Sequence, residues 1–448
     1  MRRRFSIVLV LVAGLLLLGP GAAPVRALAL EVHEHTLANG LRLLVHEDHS
    51  APVVSSYVFY DVGSRNEHWG RTGLAHLFEH MMFNGGRKFG PGVFDDLIEG
   101  NGGSTNGFTT RDYTAYLNDF PREALPLVLD LESDRMAHLT ITAENLEQER
   151  GIVMEERRLR IDNDVQGSMW EALYLHAFVA SPYHWPVIGF MSDLRRIELE
   201  AARRFFQTYY APNNATLVLA GDVEPAEAVR LVERYFGDIP RGPQPEPVTF
   251  AEPEQAGERR IVVRKQAELP AVLMGYRAVE ATHPDRAALD VAGQVLAGGR
   301  SARLHEALVR EREVATGVWA DLNWGASPEL FLVSVQARPG RSAADLVAGV
   351  DEVLTAFAAT GPTEAELARA KRQLRVSWIR NLKRVSGKAR QIGFYALVFG
   401  DHRAMNRIEE SWQAVSAADV QRVVRTYLVP VRRTLVELDP MTSGEAAS

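Results

Sequence analysis

The sequence predicts an α+β protein of two homologous domains, each a mainly antiparallel β-sheet packed with helices. Three observations support this fold class. Residues 237–247 contain four prolines and two glycines, which cannot continue a helix or a central strand. The parts on either side are similar in length, and both show the same order of strand and helix patterns. We therefore predict an internal duplication, with domains at residues 30–239 and 260–440 joined by a proline-rich linker at residues 240–259.

The two parts share an order of elements: two strands, an apolar helix, further helices and a closing strand. The expected strands are residues 41–45, 53–60 and 216–222 in the first part, and 260–264, 271–276 and 434–438 in the second. The Asn39-Gly40 pair before the first strand is a strong hairpin signal. The apolar helix of the second part is predicted at residues 287–296, just before Gly298 and Gly299.

The first 29 residues have the pattern of a cleavable secretory signal peptide. Three arginines precede an apolar run from Phe5 to Leu18, and Ala27-Leu28-Ala29 matches an A-x-A cleavage site. This pattern predicts a periplasmic or secreted protein. An uncleaved membrane anchor is the alternative, but the run is shorter than the ~20 residues that a spanning helix needs. No later segment is apolar enough to span a membrane, so no stable membrane span is expected.

Composition excludes several classes of protein. The formal net charge is −7, and removal of residues 1–29 takes away four arginines and no acidic residue, which leaves −11. Nucleic-acid binding is not expected from so acidic a chain. The chain has no cysteine, which excludes a disulfide framework and a lipid anchor on cysteine. A cysteine-free exported protein is compatible with an oxidising periplasm.

The most informative segment contains His76 and His80, four residues apart, with Glu79 between them. On a helix these three positions share one face, so both imidazoles can reach one metal ion with the carboxylate beside it. Imidazole is a good zinc ligand, and a hydrolytic zinc site needs a base near its water. A solvated helix face with two histidines is the alternative. The apolar neighbours instead predict a buried helix, where ionisable side chains need partners or a metal.

A catalytic zinc site has three protein ligands, so a third ligand is expected downstream. Residues 147–157 predict a charged helix. Its expected apolar stripe consists of Leu146, Ile152, Val153 and Leu159. Glu149 and Glu156 are seven residues apart, about two helical turns, and so share one face. One could bind the metal while the other supports the ligands. The alternative is a solvated helix whose glutamates pair with its arginines.

Together these residues resemble the pitrilysin, insulin-degrading enzyme and mitochondrial processing peptidase family, the inverzincin zinc peptidases. Its members carry H-x-x-E-H in the first domain and a glutamate-bearing helix farther along the chain. The resemblance implies that His76, His80 and Glu156 bind one Zn²⁺ per chain. It also implies that Glu79 is the general base and that Glu149 is a second acidic residue serving catalysis.

Two further stretches extend the resemblance. Residues 103–116 resemble the strand against which the family pairs an extended substrate peptide, and Asn106 and Gly107 match its substrate-binding positions. An ordinary β-hairpin is the alternative for this stretch. In the second part, alignment of the glycines after the apolar helix places Asp290 and Gln294 where histidines would stand. Only the first domain can therefore bind zinc through this motif.

The resemblance also raises a question about partners. Family members that work as complete units carry an arginine and a tyrosine in the inactive half, and the pair stabilises the oxyanion. Arg310 matches the arginine, but Thr316 and Gly317 stand where the tyrosine is expected. One hypothesis is catalysis by the metal and Glu79 with weaker oxyanion help. The favoured hypothesis is that a homologous subunit, or a second copy in a homodimer, supplies the pair.

The sequence thus predicts a zinc-dependent endopeptidase that hydrolyses peptides or unfolded polypeptides by metal-activated water. It is expected to be the zinc-bearing subunit of a hetero-oligomer. The alternative is a non-catalytic scaffold or partner subunit of the same fold. Inactive relatives lose ligand residues, whereas this chain keeps them all.

Overall fold

The computed structural model describes residues 29–441, so the predicted signal peptide lies outside the described residues except for its last position. The strands are β1 (His33–Thr36), β2 (Arg42–Glu47), β3 (Val53–Tyr60), β4 (Ser104–Thr109), β5 (Thr114–Pro121), β6 (Ala215–Gly221), β7 (Arg259–Gln266), β8 (Ala271–Arg277), β9 (Ala315–Leu322), β10 (Leu330–Ala337) and β11 (Arg433–Met441). The α-helices of the first half are α1 (Leu74–Met81), α2 (Val93–Gly100), α3 (Leu125–His138), α4 (Ala143–Arg157), α5 (Val165–Ala177), α6 (Met191–Leu194), α7 (Leu199–Tyr209) and α8 (Pro225–Phe236). Those of the second half are α9 (Arg286–Ala297), α10 (Ala343–Thr360), α11 (Glu364–Asn381), α12 (Val385–Val398), α13 (Ile408–Ala414) and α14 (Ala417–Tyr427).

The two halves build matching sheets. The first sheet has the strand order β1-β2-β6-β3-β5-β4, and the second has β7-β11-β8-β10-β9. The pairs β2–β6 and β7–β11 are parallel, and the other neighbours are antiparallel. The second order therefore repeats the first from β2 onward. The predicted fold class, two homologous α+β domains with mainly antiparallel sheets, is confirmed.

The helices follow the same duplication, except that each half places one helix on the sheet of the other half. α5 comes from the first half and packs on the second sheet, and α12 comes from the second half and packs on the first sheet. Met169 and Leu173 of α5 are buried against Leu273 and Val436. Each sheet therefore has its own helices on one face and a helix of the other half on the opposite face.

α12 approaches the first sheet very closely. Gly393 lies against the Phe59 ring of β3, and a Cβ atom at this position would come within 1.9 Å of the ring. Ile392 and Tyr395 on the same helix are fully buried with Phe59. Only glycine allows this approach, because any side chain would displace either the ring or the helix.

A buried polar network joins the hairpin turns of the two halves. Asp112, between β4 and β5, accepts hydrogen bonds from the Tyr183 hydroxyl at 2.5 Å and the Ala326 backbone N–H at 3.1 Å. The Tyr174 hydroxyl of α5 donates to Glu329 at 3.0 Å, just before β10. Because buried polar groups are costly to leave unpaired, this network favours one relative placement of the halves.

Between Phe236 and Arg259 the chain forms no helix or strand, and it runs along the surface of both halves. Glu252 accepts hydrogen bonds from the backbone N–H groups of Val179, Ala180 and Ser181 at 2.7–3.1 Å. It also pairs with Arg277 of β8. The segment is therefore held in place and is not a free tether.

Within residues 29–441, no helix is both long and apolar enough to cross a bilayer.

Candidate active site

The histidine motif lies on α1, whose apolar face packs into the first half. Leu74, Leu77, Phe78 and Met81 are buried at the i, i+3, i+4, i+7 spacing of an amphipathic helix. The Tyr116 hydroxyl of β5 donates to the Phe78 carbonyl at 3.0 Å and so fixes the helix on the sheet. His76 and His80 consequently point away from the core, toward α4.

The structure brings both histidines together with Glu156 of α4. The Oε2 atom of Glu156 lies 3.5 Å from Nε2 of His76 and 3.3 Å from Nε2 of His80. Ligand atoms of the three residues all lie within 4.8 Å of one another, and this is the one such group within residues 29–441.

These distances fit a zinc ion. Ligands placed at about 2.1 Å around a tetrahedral ion are separated from one another by about 3.4 Å. Two imidazole nitrogens and one carboxylate oxygen are a common donor set for catalytic zinc, and three protein ligands leave the fourth position open. The Nδ1 atom of His76 is buried with no hydrogen-bond partner among the described residues. Among the described residues, the ring therefore has no strong polar partner other than His80 and Glu156. These two residues and His76 form the candidate ligand cluster.

The protonation states of His76 and Glu156 also suit metal binding. Burial and then the neighbouring charge of His80 lower the pKa of His76 to about 4, so its ring is neutral at pH 7. Burial opposes charge on His80 as well, but its hydrogen bond to Glu156 and nearby carboxylates raise its pKa overall. The same hydrogen bond lowers the pKa of Glu156, which keeps this residue as a carboxylate.

Glu149 lies behind the ligands. Its Oε2 atom is 3.7 Å from Nδ1 of His80, on the side of the ring opposite Glu156, and its side chain is almost fully buried. A carboxylate facing the second ring nitrogen of a ligand histidine fixes the orientation and tautomer of that ring. Glu149 can therefore orient His80 without itself reaching the ligand cluster.

Glu79 lies on the sheet side of the cluster. Burial raises the pKa of Glu79, although hydrogen bonds from Thr109 of β4 oppose the shift. A carboxyl whose pKa moves toward neutrality is better suited to accept and return a proton. Gly107 packs on this side chain, and a Cβ atom at position 107 would lie 3.2 Å from Cγ of Glu79.

β4 forms the edge of the first sheet, and within residues 29–441 only β5 pairs with it. Asn106 is exposed on this edge, and its side-chain oxygen accepts a hydrogen bond from the Gly107 N–H at 2.8 Å. The outer backbone groups of β4 are therefore available for another strand.

A cavity of about 280 Å³ opens beside the ligands, bordered by His76, Thr109 and Glu156. Its apolar wall includes Trp170 and Tyr174 of α5, and Val187 and Ile188. A larger cavity of about 800 Å³ lies between α7 and residues 244–250, and none of the three candidate ligands lines it. The volume of a cavity therefore does not identify the candidate active site.

Comparison with known proteins places this arrangement in a family. Residues 42–189 match the model described as insulinase (peptidase family M16), and residues 196–374 match the peptidase M16 inactive domain. The chain belongs to peptidase family M16. This confirms the resemblance to the pitrilysin and mitochondrial processing peptidase group.

Relatives in family M16 include named zinc proteases. The chain is 30% identical over 410 residues to the zinc protease PqqE of Helicobacter pylori, covering 90% of this chain and 92% of that protein. It is 25% identical over 421 residues to the beta subunit of the mitochondrial-processing peptidase of Lentinula edodes, covering 88% and 86%. The crystal structure of a protease from Helicobacter pylori matches with a TM-score of 0.88 at 29% identity, covering 92% of this chain and 100% of that one.

The second half of this M16 chain has a buried ion pair at the position that the sequence alignment matches to His76. Asp290 of α9 pairs with Arg286 at 2.6 Å. It also accepts hydrogen bonds from the indole N–H groups of Trp324 at 2.9 Å and Trp412 at 2.8 Å. Its two oxygens are fully used inside the half, so Asp290 has a structural role.

Replacing Asp290 by alanine is expected to destabilise the fold by about 3–5 kcal/mol, because Arg286 would remain buried without its partner. Chemical denaturation followed by tryptophan fluorescence measures this difference. Asp439→Ala is the matched control, since its pair with Arg264 is exposed and is expected to contribute less than about 1 kcal/mol. Equal losses in the two variants would contradict the structural role.

Arg310 lies on a turn of π-helix between α9 and β9, and its exposed guanidinium pairs with Glu306 at 2.8 Å. Thr316 and Gly317 lie on the edge strand β9. Within residues 29–441, none of the recorded hydrogen bonds or ion pairs joins Arg310 to the ligand cluster.

One supporting residue at the beginning of α1, Glu67, was not predicted from the sequence. The buried carboxylate of Glu67 accepts hydrogen bonds from the backbone N–H groups of Gly73 at 2.8 Å and Ala75 at 2.7 Å. Thr72 is held in turn by Asp193, at 2.8 Å between hydroxyl and carboxylate. Glu67 comes from the preceding loop, so no fixed spacing of the kind that marks a capping box identifies it.

A second contact links α1 to α4. Gly73, with φ of 92°, packs against Gly189, and a Cβ atom on Gly73 would lie 2.7 Å from the Ile188 carbonyl oxygen. Arg157, next to Glu156, donates to the Gly189 carbonyl at 2.8 Å. The helices that carry the two histidines and Glu156 are therefore connected through one short loop.

Replacing Glu67 by glutamine is expected to cost about 1–3 kcal/mol, because one of the two backbone N–H groups loses its acceptor. The cost is also expected to depend on pH. Burial raises the pKa of Glu67 from 4.5 to about 8. The proton bound in the folded state therefore stabilises the fold fully below pH 4.5, and this contribution is lost as pH rises to about 8.

Since glutamine does not titrate, the difference in unfolding free energy between wild type and Glu67→Gln should shrink between about pH 5 and about pH 9. Urea unfolding at several pH values measures it. Glu147→Gln, at an exposed position of α4, is the control and should show no such trend. A difference that grows with pH would contradict a raised pKa.

Proposed function

We propose that this protein is a zinc-dependent endopeptidase that hydrolyses peptides or unfolded polypeptides. The observation that carries the proposal is the convergence of His76, His80 and Glu156 at ligand spacing, with Glu79 beside them. The unpaired edge of β4 next to this cluster supports a peptide as the substrate.

In the proposed reaction, His76, His80 and Glu156 hold the zinc ion, and Glu149 orients His80. Bound zinc supplies Lewis-acid chemistry, which activates water and polarises the scissile carbonyl. Glu79 takes the proton of the attacking water and then delivers it to the leaving amine. The raised pKa of Glu79 suits both transfers, because the carboxyl must be ionised first and protonated afterwards.

The substrate is proposed to lie extended along the outer edge of β4, where its backbone adds to the sheet at Asn106 and Gly107. Backbone pairing of this kind holds a peptide largely independently of its sequence. Gly107 allows the peptide close to Glu79, since its missing side chain leaves the carboxylate uncovered. The adjoining cavity, whose walls include Trp170 and Tyr174, accepts a substrate side chain next to the scissile bond.

We also propose that the protein acts as the zinc-bearing subunit of a hetero-oligomer or in a homodimer. Arg310 is exposed on the second half, and the chain has no tyrosine between Tyr276 and Tyr395, so a homologous subunit would supply the arginine and tyrosine that stabilise the oxyanion. The signal-peptide pattern of residues 1–29 supports a periplasmic or secreted location.

Zinc content and cleavage of an internally quenched peptide test the proposal directly. We expect one zinc per chain and cleavage that stops with a chelator and returns with zinc. Size-exclusion chromatography with and without the product of a neighbouring gene tests the partner. Loosely bound zinc below one per chain, without cleavage in either case, would support the scaffold alternative instead.

A further inference from the structure

A second apolar cleft lies where α5 begins to cross the second sheet. Its volume is about 350 Å³, with Val165 and Met169 on the helix side, Ala271 and Ser334 on the sheet side, and Leu269 at one end. Farther along the helix, Leu173 and Ala177 are fully buried against the sheet. The opening is therefore confined to the first turns of α5, where small side chains on the sheet leave the space unfilled.

Trp170 connects this cleft to the candidate active site. Its ring borders both the cleft and the 280 Å³ cavity that contains His76 and Glu156. It stacks on Tyr174 with ring centroids 6.2 Å apart, and it lies 6.4 Å from Trp319 on the edge strand β9. The cleft and the cavity beside the ligand cluster therefore share Trp170 as a wall residue, which makes them neighbours.

The lining determines what the cleft can bind. Most of its walls are aliphatic or aromatic, and Glu268, at its exposed turn, is the one charged side chain on the lining. A charged group would lose its hydration there without a partner, whereas an apolar side chain gains from burial. The volume is sufficient for one large aliphatic or aromatic side chain.

We propose that this cleft is a distal subsite, which binds an apolar side chain of the same peptide that is held at the ligand cluster. This inference rests on the proposed function and adds a substrate class to it. Preferred substrates carry two apolar residues, one in the cavity beside the cluster and one a few positions away in the cleft. The continuity through Trp170 favours this occupant.

Peptide binding to the zinc-loaded Glu79→Gln variant tests the subsite without cleavage. A fluorescent peptide series moves one phenylalanine through a serine- and alanine-rich sequence, with a second phenylalanine kept near the scissile position. We expect one spacing to bind at least about tenfold more tightly than the alanine peptide, which is about 1.4 kcal/mol at 25 °C. Fluorescence anisotropy measures the dissociation constants.

Filling the cleft should remove this preference. In Ala271→Leu, and independently in Ser334→Val, the ratio of dissociation constants for the phenylalanine and alanine peptides should fall toward one. Val262→Leu is the matched control and should keep the preference, because Val262 is exposed on a neighbouring strand of the same sheet and does not line the cleft. Thermal unfolding and zinc content identify any variant that does not fold.

Three results would overturn the subsite: no spacing preference in the parent protein, a preference that survives both filling variants, or filling variants that change only the oligomeric state. The last would show that a second copy occupies the cleft. Failure of the proposed function gives a different result. A wild-type protein that shows the spacing preference but cleaves none of the peptides supports the subsite and contradicts the peptidase.

Discussion

Replacing Glu79 by glutamine is expected to leave zinc bound and to reduce peptide cleavage by about 10²–10⁴-fold, the usual contribution of a positioned general base. Glutamine has nearly the same shape and can keep contacts with Thr109 and Gly107. It cannot take a proton from water at neutral pH. The loss should appear mainly in kcat, because Glu79 is not among the proposed zinc ligands and is proposed to contact the attacking water, not the peptide backbone.

The measurement is steady-state cleavage of a quenched peptide, with metal analysis of the same samples. Glu147→Gln is the matched control, since it makes the same chemical change at an exposed position of α4. It should keep both zinc and full activity. Cleavage by Glu79→Gln at a rate near that of the wild type would exclude Glu79 as the base.

The second large effect is expected from the ligands themselves. His80→Ala and Glu156→Gln should each lose tightly bound zinc and, with it, cleavage. Glu149→Gln should have a smaller effect, about 10–100-fold in zinc affinity, because it removes only the group that orients His80. A larger loss of zinc affinity in Glu156→Gln than in Glu149→Gln would distinguish a metal ligand from a residue that orients a ligand.

Competition with a chromophoric chelator measures these affinities, and a thermal shift on adding zinc gives an independent estimate. Any ligand that binds only the folded state stabilises it in proportion to the logarithm of its concentration over Kd. The zinc-induced shift should therefore be largest in wild type, smaller in Glu149→Gln and absent in Glu156→Gln. An equal shift in all three would mean that zinc binds elsewhere.

Much of this arrangement follows from periodicity in the sequence. Residues 53–60 were expected to form a strand and coincide with β3, and α9 extends the helix expected at residues 287–296 by one residue at each end. The spacing of His76 and His80 on one helix, and of Glu149 and Glu156 on another, correctly predicts that each pair shares a face. Helical geometry alone accounts for these results.

The apolar stripe expected on α4 was partly wrong. Leu146 and Val153 are buried, but Ile152 and Leu159 are 44% and 63% exposed. The inward face instead includes Glu149 and Arg157, which have buried partners. A hydrophobicity pattern could not predict that these two polar side chains are buried. Their partners come from other parts of the chain, α1 and the loop at Gly189.

The exchange of α5 and α12 was also not predictable from local pattern. Both helices contain buried apolar residues, but their weakly amphipathic sequences do not indicate which sheet covers them. Glu67 is a similar case. Its partners, the N–H groups of Gly73 and Ala75, exist only once the preceding loop has folded back over the first turn of α1.

The exchanged helices mean that neither half can be treated as an independent folding unit. A chain cut before residue 259 would expose the face of its sheet that includes Phe59, and the remaining fragment would expose Leu273 and Val436. The second half, which lacks the histidine motif, therefore cannot be deleted, because its α12 covers the sheet on which the candidate site is built. Helix exchange thus gives the second half a structural role that is independent of metal binding, since it completes the packing of the half that carries the candidate site.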